Sequence, residues 1–226
     1  MKKLSKKYRE SLKLLDKSKT YNLEEAIGLL KQMPSLKFDQ SVDLGIQLNI
    51  DPKKSDQLIR GTVVLPNGSG KKKSIAVFCK GEAEKEAKDA GADIVGGQEL
   101  IDKVAAGWLD FDVAVSTPEM MRDLSKLGKV LGPKGLMPSP KTGTVTNNIA
   151  QAVKELKAGK VEFKADKQGG VHVQVGKISF EGNKLSENIK ALISAVLSSK
   201  PPSVKGNLIK SISLSLTMSP GFKVVA

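Results

Sequence analysis

The apolar positions of this chain change period along its length, and each period predicts a different element. Leu4, Tyr8, Leu12 and Leu15 recur at helical spacing with lysines among them. A second helix is expected from Asn22, where Glu25 three residues on can complete a capping box. Leu23, Ala26, Ile27, Leu30 and Met33 form its apolar stripe, and Pro34 stops it. The period then falls to two. Val42, Leu44, Ile46 and Leu48 alternate with Asp43, Gly45, Gln47 and Asn49, as in a half-buried strand. Another strand is predicted over 61–65, and the cluster Pro66-Asn67-Gly68-Ser69-Gly70 breaks it.

Beyond that loop, short apolar strands (75–79, 92–95, 111–115) alternate with helical stretches (82–90, 99–106, 119–127). Gly91 and Gly107 close the first two helices. This rhythm predicts an open α/β sheet of parallel strands. A helix over 149–157 follows, capped by Asn147 or Asn148 and ended by Gly159. The last third returns to alternation. Val161 and Phe163 belong to one strand, and Val171, Val173 and Val175 to another. Leu185, Ile189, Leu192, Ile193, Val196 and Leu197 line a long helix that ends before Pro201-Pro202, and a strand over 208–218 follows.

Charge turns these periods into an architecture. The 226 residues carry 37 Lys+Arg against 24 Asp+Glu, a formal net charge of +13. Solubility alone needs far less, so the excess points to a polyanionic partner. Residues 1–66 carry +5, residues 67–159 only +2, and residues 160–226 carry +6. The simplest arrangement is an α+β domain built from both ends (1–66 plus 160–226), with an inserted α/β domain at 67–159. The polyanion then belongs mainly to the terminal domain.

The residue inventory argues against catalysis. His172 is the lone histidine and Cys79 the lone cysteine, so neither a usual zinc site nor an intrachain disulfide can form. Cys79 follows the apolar run 75–78 and reads as a buried small hydrophobe in a reducing compartment. No GxSxG elbow is present. Around Asn67-Gly68-Ser69-Gly70-Lys71 the phosphate-loop pattern fails, because Leu65 and Lys72 stand where Gly and Ser or Thr belong. No GxGxxG follows the 75–79 strand, so a dinucleotide site is not expected. No run approaches the length of a membrane span, and polar helix follows the N-terminal lysines where a signal peptide would be apolar. The chain is therefore expected to stay in the cytoplasm.

Three surfaces can meet RNA. In the 208–218 strand, Ile212, Leu214, Leu216 and Met218 are apolar, while Ser211, Ser213, Ser215, Thr217 and, just beyond, Ser219 are small hydroxyls. Such a row is either a solvated sheet face or a flat surface that lets a sugar-phosphate backbone and its 2′-hydroxyls come close. Lys205, Lys210 and Lys223 flank it. Lys37-Phe38 precedes the strand that begins near Ser41, and Phe38 either stacks on RNA or plugs the core. The stretch 164–172, with Lys164, Lys167 and His172, is either an RNA-contacting hairpin loop or an ordinary turn. With 4% aromatic residues, contact is expected to be mostly to backbone and shape, with few stacks.

Longer motifs identify a relative. Gly61-Thr62-Val63-Val64-Leu65-Pro66, the run from Gly128 to Val145 (GKVLGPKGLMPSPKTGTV) and Thr217-Met218-Ser219-Pro220 resemble the signatures of bacterial-type large-subunit ribosomal protein number one. The resemblance runs over about residues 7–224. It implies an α+β rRNA-binding domain with an inserted Rossmann-like domain, no enzyme activity and no cofactor. It also implies binding to the large-subunit rRNA stalk, contact with E-site tRNA and repression of its own operon mRNA. The protein would be ribosome-bound in the cytoplasm and monomeric off the ribosome. Carried over to this chain, the rRNA contacts are Lys37, Phe38, Ser41, Thr217, Met218 and the position of Ser219, with Lys164, Lys167, His172 and Ser211 beside them. The chain departs from the family at Ser219, where Gly is usual, and a Cβ there restricts close backbone approach. The competing readings are a general RNA-binding chaperone and a nucleotide-using enzyme of the α/β domain.

Overall fold

The computed structural model describes residues 5–16, 19–34, 36–52, 54–204 and 206–225. Leu4 and Lys205 lie outside these residues. In chain order the elements are α1 (Lys6–Lys13), β1 (Tyr21–Asn22), α2 (Leu23–Gln32), β2 (Ser41–Leu48), β3 (Arg60–Val64), β4 (Ile75–Phe78), α3 (Glu82–Asp89), β5 (Ile94–Gly96), α4 (Gln98–Ala105) and β6 (Val113–Ser116). They continue with α5 (Met121–Leu124), α6 (Gly128–Leu131), α7 (Ile149–Ala158), β7 (Lys160–Lys164), β8 (Gly170–Lys177), α8 (Gly182–Ser198), β9 (Ile209–Leu216) and β10 (Phe222–Val225).

Local chemistry sets the ends of these elements. Ser5 caps α1 by accepting from Tyr8 N–H. Asn22 and Glu25 form the expected capping box of α2. Asn148 caps α7 by accepting from Gln151 N–H at 3.2 Å. The stretch expected as one helix over 119–127 is instead α5 and a single 3₁₀ turn (Ser125–Leu127), with α6 directly after it. Gly128 and Gly132 punctuate that region and weaken a continuous helix.

Two compact units result, 1–70 with 159–226 and 71–158. The loop 67–70, placed by its breaker composition at the head of the insert, is fastened to the terminal unit. Asn188, wholly buried, donates to Gly68 O (3.0 Å) and Val175 O (2.8 Å) and accepts from Asn67 N–H (3.1 Å). A Cβ on Gly159, at φ +111°, would lie 2.5 Å from Gly68 Cα, so only glycine fits where these two backbone stretches of the terminal unit pass.

In the terminal unit, a five-stranded sheet has the order β1-β10-β9-β2-β8, and β3-β7 forms a separate pair. Only β1 with β10 is parallel in the larger sheet. This pair escaped the periodicity reading because a two-residue strand cannot show alternation. Val42, Leu44, Ile46 and Leu48 of β2 face inward as expected, as do Ile212, Leu214 and Leu216 of β9. They join Ala26, Ile27 and Leu30 of α2 and Leu185, Ile189, Leu192 and Val196 of α8 in one core. Helices thus cover one face of the sheet and leave its other face for the polar positions.

The middle unit holds a parallel sheet, β5-β4-β6, extended by a parallel bridge between Ser116 and Val145. Every residue of β4 is buried, because apolar clusters cover both faces. Cys79 is buried at the end of this strand, and burial pushes its thiol up to about 11, so it is no nucleophile at neutral pH.

Candidate nucleic-acid interface

The outer face of the five-stranded sheet is built by alternation. Because β2 buries its even positions, Ser41, Asp43, Gly45 and Gln47 stand on the other face. The same rule puts Ser211, Ser213 and Ser215 there from β9 and His172 and Gln174 from β8. Register aligns these residues in rows. Ser213 pairs with Lys223 of β10 and with Gly45, which pairs in turn with His172. Asp43 stands between Ser215 and Gln174, and Gln47 between Ser211 and Gly170.

Gly45 is a notch in this surface. A Cβ there would lie 2.8 Å from Ser213 Oγ and 3.4 Å from His172 Nδ1. Ser213 Oγ donates to Gly45 O at 3.2 Å. A lysine or leucine row would fill this space, whereas small side chains leave the backbone approachable. Glycine within an alternating strand signals such close approach, and this position was not singled out from sequence. The register shifts between Gln47 and Leu48, so Ile209 pairs with Leu48 and exposed Lys210 has no paired position opposite it.

One end of this face gathers six of the residues singled out from sequence. Thr217 N–H donates to Ser41 O (3.2 Å), and Ser41 N–H donates to Thr217 Oγ1 (3.0 Å). Beyond Leu216 the chain turns, so Met218 does not continue the inner face as its even position suggested. It is 62% exposed, and its N–H donates to Gln40 Oε1 at 3.4 Å. Gln40, itself buried, fastens this turn to the segment that carries Lys37 and Phe38. Phe38 is 52% exposed, which excludes the core-plug reading. Asp39 pins the same segment by accepting from Ser179 Oγ at 2.8 Å. Ser219 Oγ accepts from Leu216 N–H at 2.8 Å and so ties the turn together. The added Cβ comes with a hydroxyl that orders the turn.

Lys164 and Lys167 lie near the opposite end. Their segment is not a β-hairpin, because β7 pairs with β3 while β8 pairs with β2. It is a tight crossing between two sheets. Asp166 accepts from Gly170 N–H (2.7 Å) and Gln168 N–H (2.8 Å), and these donors hold its carboxyl below the usual carboxylate range. Gln47 Nε2 donates to Gln168 O at 2.9 Å, joining this loop to the outer face. His172 lies between the two ends, its Nε2 4.0 Å from Asp166 Oδ2. From Ser41 to Gln47 the face spans about 20 Å at the usual strand rise. Small hydroxyls lie along its middle, exposed Phe38 and Met218 at one end, and lysines at both. This suits a sugar-phosphate backbone, not a reaction centre. Among the described residues no group of three or more His, Cys, Asp or Glu side chains could hold a metal ion, and no helix is long and apolar enough to cross a membrane.

Known proteins resemble this chain along nearly its whole length. Residues 29–220 match the Ribosomal protein L1p/L10e family. The chain belongs to that family. It is 56% identical over 220 residues to the large ribosomal subunit protein uL1 of Protochlamydia amoebophila, covering 97% of this chain and 93% of that protein. The protein of the same name from Chlamydia pneumoniae is 56% identical over 99% of this chain and 97% of its own length. That of the onion yellows phytoplasma is likewise 56% identical, over 98% and 96%. The family is one of ribosomal proteins, not of enzymes. Its match spans the Gly128–Val145 run and the ten positions expected from sequence to meet RNA.

Proposed function

We propose that the chain is a structural constituent of the large ribosomal subunit that holds the rRNA stalk on the outer face of its five-stranded sheet. The α+β terminal domain supplies the RNA face, and the inserted Rossmann-like α/β domain projects from it in sequence between β3 and β7. The observation that carries the reading is the hydroxyl-lined face around the Gly45 notch, with Thr217 and Ser41 paired at one end. Family membership and the net charge of +13 support it. On the same reading the protein contacts tRNA leaving the E site and represses translation of its own operon mRNA by offering the same face to a similar RNA fold. It works in the cytoplasm, bound to the ribosome.

Binding titrations against stalk rRNA, unrelated structured RNA and duplex DNA at several salt concentrations test this. Affinity for stalk rRNA is expected to fall linearly with the logarithm of salt concentration as counterions are released. Stalk rRNA should bind tighter than unrelated RNA by on the order of 10³. Equal affinity for both RNAs would overturn the reading and favour a general chaperone.

A further inference from the structure

The middle of this face is concave. A groove of about 630 Å³ lies over the Gly45 notch, lined by Tyr8 of α1 together with Gly45, His172, Ser211, Ser213 and Lys223. Its volume falls within the roughly 300–1,000 Å³ of pockets that bury small ligands. A regular RNA helix lying on the sheet has no part that fills such a hollow, because its bases are stacked inside. A single unstacked base does. The lining has what that ligand needs. Tyr8 and His172 bring rings able to stack. Ser213, whose hydrogen points to Gly45 O, keeps its lone pairs for a donor on the base edge. Lys223 is exposed and suits the adjoining phosphate. Gly45 leaves the floor open, since a Cβ there would narrow the space between Ser213 and His172.

We propose that this groove takes one extruded nucleotide of the bound RNA, its base entering over Gly45 between Tyr8 and His172. The inference rests on the rRNA-binding reading and adds a readout of a base to a face otherwise suited to backbone and shape. It gives α1 a role as the wall of a nucleotide site, its first turn closed by the Ser5 cap.

The test is a mutant cycle on the full chain. Wild type, Tyr8→Ala, Tyr8→Phe and His172→Ala are titrated with a stalk rRNA fragment and with versions carrying one abasic site at each single-stranded nucleotide. Tyr8→Ala should weaken binding about tenfold, the scale of one lost base–aromatic stack, while Tyr8→Phe keeps affinity. One abasic position should weaken wild type by a similar factor and weaken Tyr8→Ala no further, with the same loss of additivity for His172→Ala. If α1 loosens in Tyr8→Ala, the His172→Ala arm decides alone. Additive losses at every abasic position would overturn the nucleotide site while leaving selective rRNA binding intact. A wild type that does not distinguish stalk rRNA from unrelated RNA would instead overturn the reading beneath it.

Discussion

Thr217 does two jobs with one small side chain. Its hydroxyl accepts from Ser41 N–H, which closes the end of the sheet, and the residue is exposed on the RNA face. A lysine here would add positive charge and, on a merely solvated surface, tighten RNA binding. On a surface that packs against RNA it props the partners apart. Thr217→Lys is expected to weaken stalk rRNA binding by roughly 2 kcal/mol or more, the scale of one disrupted contact. Loss of the Ser41 hydrogen bond costs about 1 kcal/mol of stability, because the exposed amide turns to water. A binding titration beside a thermal melt measures both, and tighter binding would reject this face. Residues such as Ser213 and Ser215 were legible one by one, because period two fixes which side of a strand each faces. Phe38 and Met218 were not: whether an apolar residue beside a turn is buried depends on where the turn goes. Gln40 escaped notice too, since only the turn at 216–219 brings its amide to Met218.

At the scale of elements, periodicity located β2, β8, β9, α2 and α8 well, because each is long and buries one face. It failed for β1 and β10, whose pairing joins positions about two hundred residues apart, and for the split of 119–127. The loop 67–70 shows the same limit. Its glycines announce a break, but not that Asn188 on α8 reaches back to hold it. Asn188→Ala should therefore act far from the RNA face. It leaves Asn67 N–H and the carbonyls of Gly68 and Val175 without their partner, and buried unmet groups cost about 1–3 kcal/mol apiece. The expected loss is about 3 kcal/mol in the stability of the terminal unit, read by denaturant unfolding, with RNA affinity unchanged below the transition. Stability within about 0.5 kcal/mol of wild type would show that the loop is not held by this residue.

For the whole molecule, charge and topology divide the work between units. Residues 1–70 joined to 159–226 are expected to fold and keep most of the stalk rRNA affinity. Leu65 N–H bonds Gly159 O at 3.3 Å, so a few glycines suffice to close the gap. If residues 71–158 carried the affinity instead, the assignment of the RNA face would be wrong. The parallel pairing of β1 with β10, and the antiparallel pairing of β2 with β9, have one more effect, on a growing chain. A ribosome delivers β2 long before β8 and β9 exist to pair with it, while every strand of 71–158 emerges in one continuous stretch. The middle unit can thus complete its fold first, while the five-stranded sheet of the terminal unit still lacks β8, β9 and β10. A nascent chain that has not yet delivered β9 has no hydroxyl row beside Gly45, and on the proposed reading its face for RNA is incomplete until then.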